Sequence, residues 1–293
     1  MSYTAWILLT ASLVGLSCGL IGVFLILRRM AMMADAISHT VLLGIVTAYL
    51  VTRELSGIHM LIGAVLAGLL TAVLVQWFHA RGVQQEAAIG VVFTSLFAIG
   101  VILIATKVGN AHLDIQHALM GEITFVPWNV IELPWIGEFP EATFILLVVL
   151  AVVLLVILTF YKEWKITSFD PGLAASIGIP VVFMHYLFMS LVSVTTVAAF
   201  DAVGAIMVVA MLITPAASAY LWTVRLSIML VLSSSFGVIS AIVGYLIAVW
   251  LDTSISGSMA FATGLVFLFS FLCSPKHGML SRYIRPVSAS DLP

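Results

Sequence analysis

"GLIGVFLILRRMAMMADAISHTVLLG", residues 19–44, ends one apolar run on two arginines and opens another that carries a carboxylate and an imidazole. The first run, Trp6–Leu27, matches the roughly 20 apolar residues that a helix needs to cross a hydrocarbon core. Arg28 and Arg29 then stop it. Two apolar runs joined by a short basic connection form a hairpin of membrane helices, with the connection on the cytoplasmic side. Asp35 and His39 fall just inside the second run.

The remainder of the chain repeats this alternation. Of its 293 residues, 63% are hydrophobic and only 8% are charged, against about 25% charged in a soluble domain. That composition excludes a water-soluble fold. It predicts an all-α polytopic membrane protein, a single transmembrane domain over residues 1–293. Nine spans are expected: Trp6–Leu27, Ala34–Val51, His59–Phe78, Ala87–Thr106, Ala142–Tyr161, Val181–Phe200, Ala202–Trp222, Leu226–Leu251 and Ser256–Cys273. The turn between the sixth and seventh is very short, so eight is the alternative count. No basic segment precedes the first span, which is therefore expected to be retained rather than cleaved. Cys18 and Cys273 have no metal-binding spacing and are read as packing residues.

Basic residues set the orientation. With the N-terminus outside and the C-terminus in the cytoplasm, only Arg53 and Lys107 of the 11 Lys and Arg residues face outward. The acids Asp114, Glu122, Glu132, Glu138 and Glu141 gather in the extracytoplasmic loop 108–141. In the same loop His112, Asp114 and His117 either capture a cation at an outer mouth or form a solvated loop face. The stretch "LDIQHALMGEI" is expected to form a short helix dipping into the membrane. Asp201 and Asp252 sit at outer ends of spans, where a carboxylate needs no special reason.

Asp35 and His39 are four residues apart, so on a helix they share a face. A carboxylate oxygen and an imidazole nitrogen at that spacing can both reach one divalent metal, and ionisable groups inside membranes usually face a cavity or a partner. The alternative makes Asp35 the N-cap of the second span and His39 a packing residue. The residue pattern alone leaves both readings open. Arg28 and Arg29 are expected at the cytoplasmic interface, against lipid or a partner.

The cytoplasmic loop 162–180 holds the other signal, in "KEWKITSFDPGLAASIGIPVVF", residues 162–183. Asp170 reads as an N-cap and Pro171 as a first helical residue. Leu173 to Ile177 can make one or two turns, Gly178 can close them, and Pro180 prevents continuation. This exposed helix is either a connection or a docking element for a cytoplasmic partner. Gly15 with Gly19, and Gly63 with Ala67 and Gly68, form small-residue faces for close helix packing. Pro215 is expected to kink its span and free carbonyls to line a cavity. No G-x-x-x-x-G-K-[ST] occurs and no lysine follows a glycine, so ATP cannot bind through a P-loop. If the chain serves an ATP-driven process, the ATPase is another subunit. The absence of H-E-x-x-H argues against an intramembrane metalloprotease. A proton-coupled secondary transporter or channel is the alternative function, although the inverted repeat that such proteins often show is not visible.

The stretches "GLIGVFLILRRMAMMADAISHTVLLG", "QEAAIGVVFTSLFAIGVILI", "SFDPGLAASIGIP" and "VGAIMVVAMLITPAASAYL" resemble the ABC-3 permeases, the membrane subunits of manganese, zinc and iron ABC importers. The likeness is strongest to manganese-transport members. Where that family usually has glycine before the Asp and often proline after the His segment, this chain has Ala34 and Leu43; the Asp and His themselves are intact. The resemblance implies a type II ABC importer permease fold, similar to the vitamin B12 and siderophore importer permeases without their first span. It implies a non-catalytic transport subunit in a bacterial plasma membrane, surrounded by lipid and unconnected with nucleic acid. Its partners would be a second permease (the same chain or a paralogue), two ATP-binding subunits and an extracytoplasmic metal-binding protein. No permanent cofactor is implied; the cargo would be Mn²⁺, with Zn²⁺ or Fe²⁺ as alternatives. Asp35 and His39 correspond to the intramembrane metal ligands. The segment with Asp170, Pro171, Leu173, Ile177 and Gly178 corresponds to the ATPase-coupling loop.

Overall fold

The computed structural model describes residues 2–52, 57–107, 123–133 and 137–274. Nine of the described helices are long and apolar enough to cross a membrane. They are α1 (Tyr3–Leu27), α2 (Ala31–Thr52), α3 (Gly57–Ala80), α4 (Gln85–Lys107), α5 (Glu141–Thr159), α8 (Val181–Val203), α9 (Ala205–Trp222), α10 (Leu226–Leu251) and α11 (Ile255–Cys273). Two short helices, α6 (Tyr161–Phe169) and α7 (Pro171–Ser176), connect α5 to α8.

Helix α1 is the centre of the bundle. Every residue from Ser17 to Leu25 is buried, as expected of a helix that is apolar on all sides and enclosed by others. It packs on α5, α8, α9 and α10, while α2 packs on α3 and α4. Small residues set these crossings. A Cβ on Gly44 would lie 2.3 Å from the Gly63 carbonyl oxygen, and one on Gly15 would lie 2.7 Å from the Gly237 carbonyl carbon. Lipid tails are as apolar as leucine, so such backbone approach and interhelical hydrogen bonds drive association. The hydroxyls of Thr10 and Thr143 are 2.7 Å apart, Thr71 Oγ1 donates to Thr40 Oγ1 at 2.8 Å, and Ser233 Oγ donates to the Gly19 carbonyl at 2.8 Å.

One end of the bundle carries a 3₁₀ turn, Ile123–Trp128, and an antiparallel hairpin of β1 (Val130–Leu133) and β2 (Gly137–Pro140). The Tyr3 hydroxyl donates to the Thr124 carbonyl there, and Trp6 meets Phe139 edge-on at 4.8 Å. The opposite end carries the α1–α2 link, α6 and α7.

Several boundaries differ from the sequence reading for identifiable reasons. Helix α2 starts at Ala31 rather than Ala34 and runs unbroken through Ala34 and Leu43; alanine is the best helix former. The break between the sixth and seventh spans falls at Gly204, where φ is +82°, and not at Asp201. Glycine adopts that conformation without the Cβ penalty that an aspartate would carry, so Asp201 stays in the last turn of α8. The loop 162–180 contains α6 as well as the predicted short helix, because Trp164 is fully buried against Phe24 and Phe188 at ring distances of 5.2 and 5.6 Å. Pro215 is buried within α9, which continues past it. The segment "LDIQHALMGEI", with His112, Asp114 and His117, lies outside the described residues.

Candidate functional site

Starting α2 at Ala31 decides the backbone role of Asp35. It is the fifth residue of the helix, too far in to serve as an N-cap. Its side chain turns instead to the next turn of its own helix: His39 Nε2 lies 3.5 Å from Asp35 Oδ1. The residues between and beside them, Ala34, Ala36, Ile37, Ser38 and Thr40, are all buried. Asp35 and His39 themselves keep 36% and 39% of their side-chain surface exposed, so the pair faces open space.

The other side of the imidazole is closed. Phe93 of α4 lies tilted by 30° to the His39 ring at 5.7 Å, and Phe97 stands across it at 5.8 Å. These rings fix where the imidazole lies and offer no lone pair to a cation. Among the described residues no group of three or more His, Cys, Asp and Glu side chains is placed to hold a metal. Asp35 and His39 bring together one carboxylate and one imidazole, hard and borderline donors of the kind that suit Mn²⁺ or Zn²⁺. The two phenylalanines escaped the sequence reading, although their spacing, four apart on one helix, places them on a shared face.

At the other candidate site the predicted helix forms. Asp170 Oδ1 accepts from the Leu173 N–H at 2.9 Å, and Pro171 is the first helical residue. Gly178 takes φ +86° and donates to the Ala175 carbonyl, while Ile179 donates to that of Ala174. That is the paired closure of a Schellman motif, which suits glycine. Ala174 is buried, whereas Leu173 and Ile177 are 53% and 57% exposed. Phe169, Val182 and Phe183 are exposed beside them. Exposed apolar side chains on a capped helix outside the spans are able to form an interaction surface.

Arg28 departs from expectation. Rather than reaching for lipid or a partner, its Nε donates to Ser168 Oγ at 3.1 Å and its Nη2 to Thr167 Oγ1 at 3.0 Å. Its guanidinium carbon lies 4.7 Å from the centre of the Phe188 ring. Burial pulls this group down to about 10, which leaves it charged at neutral pH. The shared cause is α6: Trp164 draws that helix against α1, which brings the two hydroxyls into range.

Known proteins place these features in a lineage. The chain is 57% identical over 288 residues to the manganese transport system membrane protein MntD of Bacillus subtilis, covering 98% of each chain. It is 42% identical to the zinc transport system membrane protein TroD of Treponema pallidum, covering 95% of this chain and 76% of that one. Among solved structures it superposes on PsaBC from Streptococcus pneumoniae, determined in complex with a Fab, with a TM-score of 0.80 and 36% identity over 97% of this chain and 96% of that one. Residues 1–274 match the ABC 3 transport family. This chain, with nine candidate spans among its described residues, its Asp35–His39 pair and its capped helix α7, belongs to the ABC 3 transport family.

Proposed function

We propose that this chain is the permease subunit of an ATP-driven importer that carries a divalent transition metal, Mn²⁺ first, into a bacterial cytoplasm. The observation that carries this reading is the Asp35–His39 pair, 3.5 Å apart on the open face of α2. Two such permeases meeting at a dyad would supply two carboxylates and two imidazoles. Zn²⁺ accepts four such ligands as a closed tetrahedron; Mn²⁺ would add water or a backbone oxygen to approach octahedral geometry. Incomplete coordination suits a path, because the ion must leave as well as enter.

The positive-inside count puts the N-terminus outside, hence α7 in the cytoplasm and the hairpin end outside. Two ATP-binding subunits would dock on Leu173 and Ile177 and hydrolyse the ATP that this chain cannot bind through a P-loop. A metal-binding protein would deliver cargo at the acidic hairpin end. The manganese relative at 57% identity supports Mn²⁺ over Zn²⁺.

The test is uptake of Mn²⁺ in cells lacking their own importer, with membrane expression confirmed. Asp35→Ala and His39→Ala should each reduce uptake at least about tenfold, the scale on which metal sites respond to losing even supporting groups. Normal uptake by both variants would remove the pair from the path.

A further inference from the structure

We infer that Arg28 is a positioning residue: its fork to Thr167 and Ser168 makes the docking helix and the metal pair move as one body. The inference rests on the reading of α7 as the ATPase contact and of Asp35 and His39 as cargo ligands. Arg28 closes α1 and is held by α6 through two hydroxyls and by α8 through the Phe188 ring. Among the described residues no carboxylate pairs with it. A half-buried cation satisfied by neutral hydroxyls is a poor route to stability, since it loses hydration without gaining an opposite charge. What arginine adds there is geometry: a rigid planar fork that engages two acceptors at once.

No slack segment lies on either side of that fork. Thr167 and Ser168 lie in the last turn of α6, and only Phe169 separates Ser168 from Asp170, the cap of α7. The Asp170 N–H donates to the Ile166 carbonyl at 2.8 Å, holding the cap to α6. Toward the metal pair, α1 passes into α2 through Arg28, Arg29 and Met30 alone. This link is locked by the Arg29 N–H on the Ile26 carbonyl at 3.0 Å and the Met30 N–H on the Leu25 carbonyl at 2.9 Å, with Arg29 at φ +57°. Asp35 follows in the second turn of α2. Beneath the fork, Phe24, Trp164 and Phe188 meet edge to face, joining α1, α6 and α8. A shift of α7 is therefore passed through α6 and Arg28 to the start of α2.

The experiment uses the whole transporter, the permease with its ATPase and metal-binding protein in proteoliposomes, and reads Mn²⁺ uptake and ATP hydrolysis in the same vesicles. R28K keeps the charge and loses the fork; T167V/S168A keeps the arginine and loses its acceptors. Both should assemble and hydrolyse ATP within about twofold of wild type, while ions moved per ATP fall about fivefold or more, as expected for a lost coupling contact. A helix that is merely less stable would lower both activities together and leave the ratio unchanged. If R28K alone fails to assemble, the double variant decides. A wild-type ratio in an assembled variant overturns the inference, and so does loss of assembly in both, which would make the contact structural only. Failure of the underlying readings is seen separately, as continued ATPase co-purification with L173D/I177D or normal uptake with D35A and H39A.

Discussion

Asp35 supplies a charge, but the orientation of His39 is set by neighbours with no charge at all. Phe93 and Phe97 hold the imidazole from α4, and each ring contact of this kind contributes about 1 kcal/mol. Phe97→Ala should therefore loosen the ring and raise the metal concentration for half-maximal uptake roughly fivefold. Phe97→Leu, which keeps the apolar wall, should recover most of that affinity. Metal-dependent uptake curves check this; an unshifted curve for a Phe93→Ala/Phe97→Ala double variant would mean that the rings only pack. At this scale the sequence was half legible. The spacing of Asp35 and His39 could be read because both sit on one helix with few competing polar groups. Phe93 and Phe97 could not, because α4 is apolar on every face and nothing local says which side meets α2. The partners of Arg28 were hidden for a similar reason, since Thr167 and Ser168 reach it only after Trp164 has docked.

Among the elements, α7 is six residues long, far too short to persist on propensity alone. Its ends carry it. Asp170→Ala removes an N-cap worth about 1 kcal/mol, so α7 should fray and retain less ATPase on purification. Leu173→Asp with Ile177→Asp should separate the subunits altogether. Co-purification at wild-type levels in both cases would make α7 a connector. The hairpin poses a different balance. Its backbone register pairs Glu132 with Glu138, so the sequence puts two acids at one rung. Glu141 follows at the start of α5, where Asn129 Nδ2 donates to its Oε2 at 2.9 Å. Acids gathered in one segment raise the local cation concentration and steer binding in a salt-dependent way. Glu132→Gln, Glu138→Gln and Glu141→Gln combined should slow Mn²⁺ uptake at low ionic strength and have little effect at high salt; equal rates at low salt would reduce the hairpin to a tether. The cap, the closing glycine and Pro180 were legible in α7 because each acts on its own backbone. Helix α6 was not, since "YKEWKITSF" shows no long apolar stripe and depends on one tryptophan finding its cavity.

For the whole molecule, span number followed from apolar length, but the arrangement of the spans did not. Nearly every face is greasy, so hydrophobicity cannot say which helix meets which; small residues do. Gly44 and Gly63 let α2 and α3 touch backbone to backbone. Gly44→Leu should force the helices apart at a cost of about 1–3 kcal/mol, lowering the melting temperature of the detergent-solubilised protein; an unchanged melt would show that the crossing can widen freely. The half-site proposed on α2 also bears on biosynthesis. On the proposed reading, a lone protomer contributes one carboxylate and one imidazole to its open face, so tight capture would wait on a second permease. Copies made in excess of their partners would leave a scarce ion in circulation rather than sequester it, and an imbalance in subunit synthesis would not become metal starvation.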